Sequence, residues 1–288
     1  MSDSTPLNHK LKEWLRASPP LLQSQNDTRL AERFLRADVI ETGSETAEDT
    51  APPDKDQRLG RRFERLTHNV LHEHAHLDVL ASNIVLHDGT RTIGELDLVT
   101  YDRQRDKYQH WEMTLKFYLG ISPDHWPGPN PIDNLHRKAS RLFGHQFPLS
   151  ASALAQERLL SLDIPRIDER VVLSRGTLFY PAEQTISAPE IAHPDHHKGR
   201  WWTISQLPAA TRWQPLSRND WIGTGSVSDK GTTTLATNQL VDYVQSAPSP
   251  LMVIAYHNAN ALPEPGFIVS DNWLVDARDA KKHSEHPN

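Results

Sequence analysis

The 288-residue chain predicts a mixed α/β fold, and two changes of hydrophobic period carry that prediction. From Leu59 to His76 apolar residues recur at helical spacing, with Leu59, Phe63, Leu66, Val70 and Leu71 on one face. From Leu77 the period drops to two, through Leu77, Val79, Ile84 and Val85, then Thr92–Thr100, then Gln109–Leu119. Asp88-Gly89 and the charged run Asp102–Lys107 mark the turns between them. Helical spacing returns over Asp133–Phe147, where Leu135, Leu142 and Phe143 form the apolar side. The centre of the chain therefore reads helix, three strands, helix.

The flanks divide by composition. Residues 1–41 form a helical N-terminal segment. In it Leu11, Trp14 and Leu15 make a stripe ended by Ser18-Pro19-Pro20, and Leu30, Phe34 and Leu35 make a second. Thr42–Arg58 has no large apolar residue and several acids, the signature of a flexible loop. Beyond the second helix, Val171–Leu173 and Leu178–Tyr180 read as two strands either side of a turn at Gly176, closing a core over residues 59–180. Residues 181–276 read as a tryptophan-rich extension packed on that core. It includes a Gly/Ser/Thr-rich loop at Gly223–Asn238, a helix at Leu240–Gln245 and strands at Leu251–Tyr256 and Phe267–Val269. Residues 277–288 read as a disordered tail. Trp201, Trp202, Trp213 and Trp221 interleave with Arg200, Arg212 and Arg218. That pattern suits either a buried subdomain core, the favoured reading, or a stacking surface for single-stranded nucleic acid.

Composition excludes several chemistries. Without cysteine there is no disulfide, thiolate nucleophile, iron–sulfur cluster or cysteine-bound zinc. The polar start MSDSTPLNHK predicts no secretory signal, and Leu251–Tyr256 is too short to span a bilayer, so a cytoplasmic protein off the membrane is expected. A net charge of −6 argues against generic capture of nucleic acid and turns attention to a local basic groove.

The chemistry concentrates in Gly94–Gly120. In a strand, Glu95 and Asp97 point to one face; in the next, Glu112, Thr114 and Lys116 share a face. Carboxylates brought together this way repel unless they share a cation or a proton, which suits a divalent metal site. On the preceding helix Glu64, His68 and His72 recur every four residues and His76 continues the row. The favoured account is a polar flank from which Glu64 faces the sheet, the alternative a histidine-bound metal. The histidines of HPDHHKGRWW at 193–202 read as surface residues. On the following helix Arg137, Lys138, Arg141 and His145 form a basic stripe with Gln146 beside it. It is either a solvated face or a phosphate-contacting one.

With those residues in place, the chain resembles the PD-(D/E)XK nuclease superfamily over about residues 59–180. GELD at 94–97 and ExxxK at 112–116 carry the resemblance, within the order of elements around them. Over nearly its whole length the chain also resembles an uncharacterised bacterial family, domain-of-unknown-function family 1853. That likeness rests on WLRASPPLL at 14–22, GELDLV at 94–99, WEMTLKFYLG at 111–120 and the tryptophans near 200–221.

The superfamily resemblance implies a restriction-endonuclease-like αβββαβ core that hydrolyses phosphodiester bonds of DNA or RNA with Mg²⁺ or Mn²⁺. Asp97, Glu112 and Glu95 would be metal ligands, Asp97, Glu112, Lys116 and Glu64 catalytic residues, and Arg137, Lys138 and Arg141 nucleic-acid contacts. One departure stands out. The usual lysine slot, two residues after the acid, holds Thr114, and Lys116 lies about 13 Å along the strand from Glu112 unless a bulge shortens the gap. The alternative implied is a catalytically degenerate nuclease-fold protein that binds nucleic acid or a protein partner without cleavage. Oligomeric state is not legible.

Overall fold

The computed structural model describes residues 7–25, 27–35, 59–224, 233–246, 250–257 and 262–285. The acidic segment 42–58 lies outside them. The chain is mixed α/β, and its strands pair both parallel and antiparallel. The chain divides into two compact units that interleave rather than follow consecutive segments. One comprises residues 1–115, 138–175 and 193–195, the other 116–137, 176–192 and 196–288.

In the first unit, α1 (Leu7–Ala17) buries Leu11, Trp14 and Leu15 and stops where Ser18 donates its N–H to the Trp14 carbonyl ahead of two prolines. A three-residue strand, β1 (Thr28–Leu30), and a one-turn helix, α2 (Glu32–Leu35), share what reads from sequence as one helical stripe. α3 (Leu59–His72) buries Phe63, Leu66, Val70 and Leu71, the stripe its 3.6-residue spacing presents. Three antiparallel strands follow: β2 (Leu77–Asp88), β3 (Arg91–Asp102) and β4 (Lys107–Leu119), with Gly89 at φ +58° in the first hairpin turn.

The helix expected over Asp133–Phe147 is a composite of α4 (Leu135–Arg141), a π-helical turn (Leu142–Gln146) and α5 (Phe147–Leu149). α6 (Ala153–Leu160), capped by Ser152 accepting from the Ala155 N–H, lies beyond what the periodicity showed. Ile84, Leu86, Leu96, Val99, Leu149, Ala155, Leu159 and Ile164 form one hydrophobic cluster joining strands to helices. Gly94 makes the approach possible: a Cβ there would stand 2.6 Å from the Leu149 side chain.

β5 (Glu169–Pro181) is one strand, correcting the expectation of two strands about a turn at Gly176. Its first part pairs in parallel with β1. Gly176 sits inside the strand at φ +139°, and a Cβ would fall 1.7 Å from the Lys116 carbonyl oxygen. The glycine serves close backbone approach, not chain reversal. β4 passes between units after Leu115 and β5 after Arg175.

The second unit pairs β5 in parallel with β6 (His197–Thr203) and β6 in parallel with β10 (Glu264–Val269). It then runs antiparallel through β9 (Leu251–Tyr256), β7 (Arg212–Pro215) and β8 (Leu235–Ala236). α7 (Thr237–Ser246) closes a core of Trp202, Trp213, Leu240, Val244, Leu251, Val253, Ala255 and Ile268. Trp201, Trp202, Trp213 and Trp221 are all buried, as the favoured reading required, so they offer no stacking surface. The segment expected as a tail from residue 277 is instead the body of α8 (Trp273–Glu285), anchored by buried Trp273 and Ala277.

Candidate functional site: a carboxylate fork between two strands

β3 and β4 pair from Asp102 opposite Lys107 to Leu98 opposite Trp111, and the ladder ends there. The next residues along are Asp97 and Glu112, so the two strongest acidic candidates stand where the strands part. The Met113 N–H donates to Asp97 Oδ2 at 2.8 Å, so a side chain rather than a backbone carbonyl receives it. Glu112 is 1% exposed and shares its face with His110, two residues back on the strand and wholly buried. His110 Nε2 lies 3.0 Å from Glu112 Oε1, while Glu112 Oε2 and His110 Nδ1 have no hydrogen-bond partner. A buried carboxylate oxygen without a partner is costly, and a functional role is one of the explanations such a group calls for.

The electrostatics follow from this geometry. Burial pushes the Glu112 carboxyl up to about 8, with the Glu95 charge adding to it, against the opposing pull of Lys138, the Asp97 backbone N–H and Arg141. Asp97 is pushed up to about 6 by burial and by the Glu112 charge, with the Met113 amide, Lys138 and His110 pulling the other way. Glu64 on α3 is raised by burial and then by the charges of Asp97 and Glu95, while Arg61 lowers it. Burial drives His110 down to about 4 and keeps it neutral. One proton therefore bridges the His110–Glu112 pair, and it sits on the imidazole Nε2 when Glu112 is ionised.

Of the residues singled out from sequence, Glu64, Glu95, Asp97, Glu112, Lys138 and Arg141 all belong to the first unit, and electrostatic influence links them at the fork. Lys116 and Arg137 belong to the second unit. There the Lys116 ammonium lies 2.6 Å from Asp133 Oδ2, and Arg137 donates to the Ile132 carbonyl. Burial and the neighbouring His72 lower the His68 pKa. His110 was missed from sequence, although its signal was present: it sits at strand parity with Glu112.

Among the described residues, no three His, Asp or Glu side chains are gathered to hold an ion unaided. The donor set nonetheless fits a hard divalent cation. Mg²⁺ is commonly held by one or two carboxylates and completes its shell with water and substrate phosphate. Asp97 and Glu112 supply such a pair, and the unpartnered Glu112 Oε2 is the free oxygen it needs.

A family model described as a domain of unknown function (DUF1853) matches residues 11–269. No curated protein and no solved structure matches the chain. Among the described residues no helix is long and apolar enough to cross a membrane.

Proposed function

This chain belongs to the DUF1853 family, and we propose that it is a divalent-metal-dependent nuclease of the PD-(D/E)XK type. The observation that carries the reading is the fork itself: a buried and a half-buried carboxylate, both with raised affinity for positive charge, one ending in an oxygen without a hydrogen-bond partner. The order from α3 to β5, a helix, three strands, the composite helix with α6 and then a strand, supports it, as does the all-oxygen donor set.

In this reading Asp97 and Glu112 would hold Mg²⁺ or Mn²⁺, with Glu95 and Glu64 bonding to its water shell. Such an ion polarises a phosphate oxygen and lowers the pKa of bound water. The Met113 amide fixes the Asp97 rotamer, and His110 holds one oxygen of Glu112 and leaves Oε2 without a partner. Arg141 and Lys138 would position backbone phosphates without reading sequence. Cleavage of plasmid, branched DNA and RNA substrates with Mg²⁺ or Mn²⁺ tests the proposal. It requires metal-dependent cleavage that Asp97→Asn abolishes, and it fails if cleavage is undetectable on every substrate or is unchanged in that variant.

One observation favours a second reading, a degenerate protein that binds without cutting: the Lys116 ammonium is already engaged by Asp133. Metal binding and salt-dependent nucleic-acid binding in the absence of any cleavage would select it.

A further inference from the structure

We infer that Arg170 heads a nucleotide-binding cleft on the same sheet face as the carboxylate fork. The guanidinium takes a nucleotide's phosphate, and the attached nucleoside lies against an apolar wall. The inference rests on the nuclease reading for the class of ligand alone.

Strand geometry fixes the face. The Asp168 N–H donates to the Tyr108 carbonyl at 2.8 Å, which sets the start of β5 beside β4. Gln109 Nε2 donates to Glu169 Oε2 at 3.2 Å, so those two side chains share one face of the sheet. Successive strand residues alternate, which puts His110 and Arg170 together on the other face, the one that carries Glu112. Arg170 therefore stands beside His110, about 7 Å along the strands from the level of Glu112.

The acids next to Arg170 in sequence are engaged by other groups. Asp168 accepts from Arg166 Nε at 2.8 Å and from the Tyr108 N–H at 2.9 Å, and Glu169 is held by Arg29 and Arg105. Arg170 is half-buried, and among the described residues its guanidinium has no hydrogen bond or ion pair. A guanidinium is always charged and carries five N–H donors, so holding one partly out of water with no acceptor is costly.

This guanidinium lines a cleft of about 480 Å³, a volume within the usual range of small-ligand sites. Leu159, Leu160 and Ile164 give the cleft its apolar wall, and Asp27, which also lines it, is exposed to water. A planar cation beside apolar surface matches a ligand with a phosphate at one end and a flat base at the other. The two groups that such a ligand needs are both present in the first unit, on the face where the fork would handle a phosphodiester.

The test is fluorescence polarisation of a short labelled single-stranded oligonucleotide with the metal-free full chain, competed with dAMP and with deoxyadenosine. Arg170→Gln is expected to weaken oligonucleotide binding about tenfold and to reduce the salt slope by about one, with the thermal midpoint unchanged. Arg158→Gln, which removes an exposed arginine of α6 outside the cleft, changes neither affinity nor slope. dAMP displaces the oligonucleotide from wild type but not from Arg170→Gln, and deoxyadenosine, lacking the phosphate, displaces it from neither. Oligonucleotide binding about tenfold or more tighter than that of dAMP makes the ligand part of a strand; equal binding makes it a free nucleotide, and the cleft stands in both cases. Equal affinity of wild type and Arg170→Gln for both ligands, or no binding of either by wild type, overturns the cleft, while cleavage by that same wild type leaves the nuclease reading intact. Arg170-dependent binding by a protein that never cleaves has the reverse outcome, keeping the cleft and removing the nuclease.

Discussion

Two buried glutamates in the first unit meet the cost of burial in opposite ways. Glu169, at the start of β5, accepts from Arg105, from Arg29 at 2.8 Å and from Gln109 at 3.2 Å; Arg105 also reaches Asp102 at 3.3 Å. Those partners outweigh burial and hold its carboxyl below the ordinary glutamate range. Glu112 is on the same strand as Gln109 and three residues further along, yet it has one neutral histidine, a bare oxygen and a carboxyl raised to about 8. The protein has the means to neutralise a buried acid and uses them at Glu169. Under the nuclease proposal, leaving Glu112 without an arginine reserves it for an external cation.

The contrast can be broken most severely by removing the reserved charge. Asp97→Asn and Glu112→Gln are expected to cost about a thousandfold in metal-dependent cleavage, about 4 kcal/mol at the transition state, while the metal-free protein at pH 8 melts at or above the wild-type temperature. The structural glutamate behaves in reverse. Arg105→Ala takes from Glu169 one of its two arginines and from Asp102 its ion-pair partner, and is expected to lose about 1–3 kcal/mol in urea unfolding, with cleavage per folded molecule unchanged.

Between these lies His110→Leu, which removes the bond that orients Glu112. Mn²⁺ affinity should weaken about 10- to 100-fold, read by calorimetry, with secondary structure retained.

Acidity separates the two glutamates further. In the metal-free protein Asp97 and Glu112 titrate above their unfolded-chain values, so the folded state keeps protons that the unfolded chain gives up near pH 4. Their contribution to stability is full below that pH and is lost as pH rises through about 6 and about 8. The expected fall is several kcal/mol, on the order of 1.4 kcal/mol for each pH unit by which a carboxyl is raised. Mn²⁺ should restore it, and a metal-free midpoint that rises over this window would contradict the picture. Glu169 has the opposite sign, its contribution present above the unfolded value and lost only in acid. The smallest effect belongs to Lys116→Gln: its pair with Asp133 is about one-third exposed on each side, so less than about 1 kcal/mol of stability is at stake.

Much of this was legible in the sequence. The period-two pattern of GELDLV and HWEMTL placed Asp97 and Glu112 on strands, and the order of elements around them followed from where the period changes. What failed to show was register. Where a ladder ends is set by long-range packing, so the fork between β3 and β4 could not be read from either strand alone. His110 carried a local signal, its parity with Glu112, but a histidine beside a tryptophan in an apolar strand reads first as core. The pairing of Glu169 with Arg105, 64 positions earlier, leaves no local trace. Gly176 reads as a turn in the sequence because glycine signals turns more often than it signals a close backbone crossing. The basic stripe on α4 was visible, while the π-turn that follows it is not revealed by charge pattern.

The central claim is that Glu112 and Asp97 are held open for a divalent cation. Calorimetric titration of Mn²⁺ at pH 8 into wild type, Asp97→Asn, Glu112→Gln and, as the paired control, Glu169→Gln tests it most directly. The account predicts one binding event in wild type that is retained in folded Glu169→Gln and lost in both fork variants. Binding that persists unchanged in Asp97→Asn and Glu112→Gln, or no binding in wild type, would contradict it.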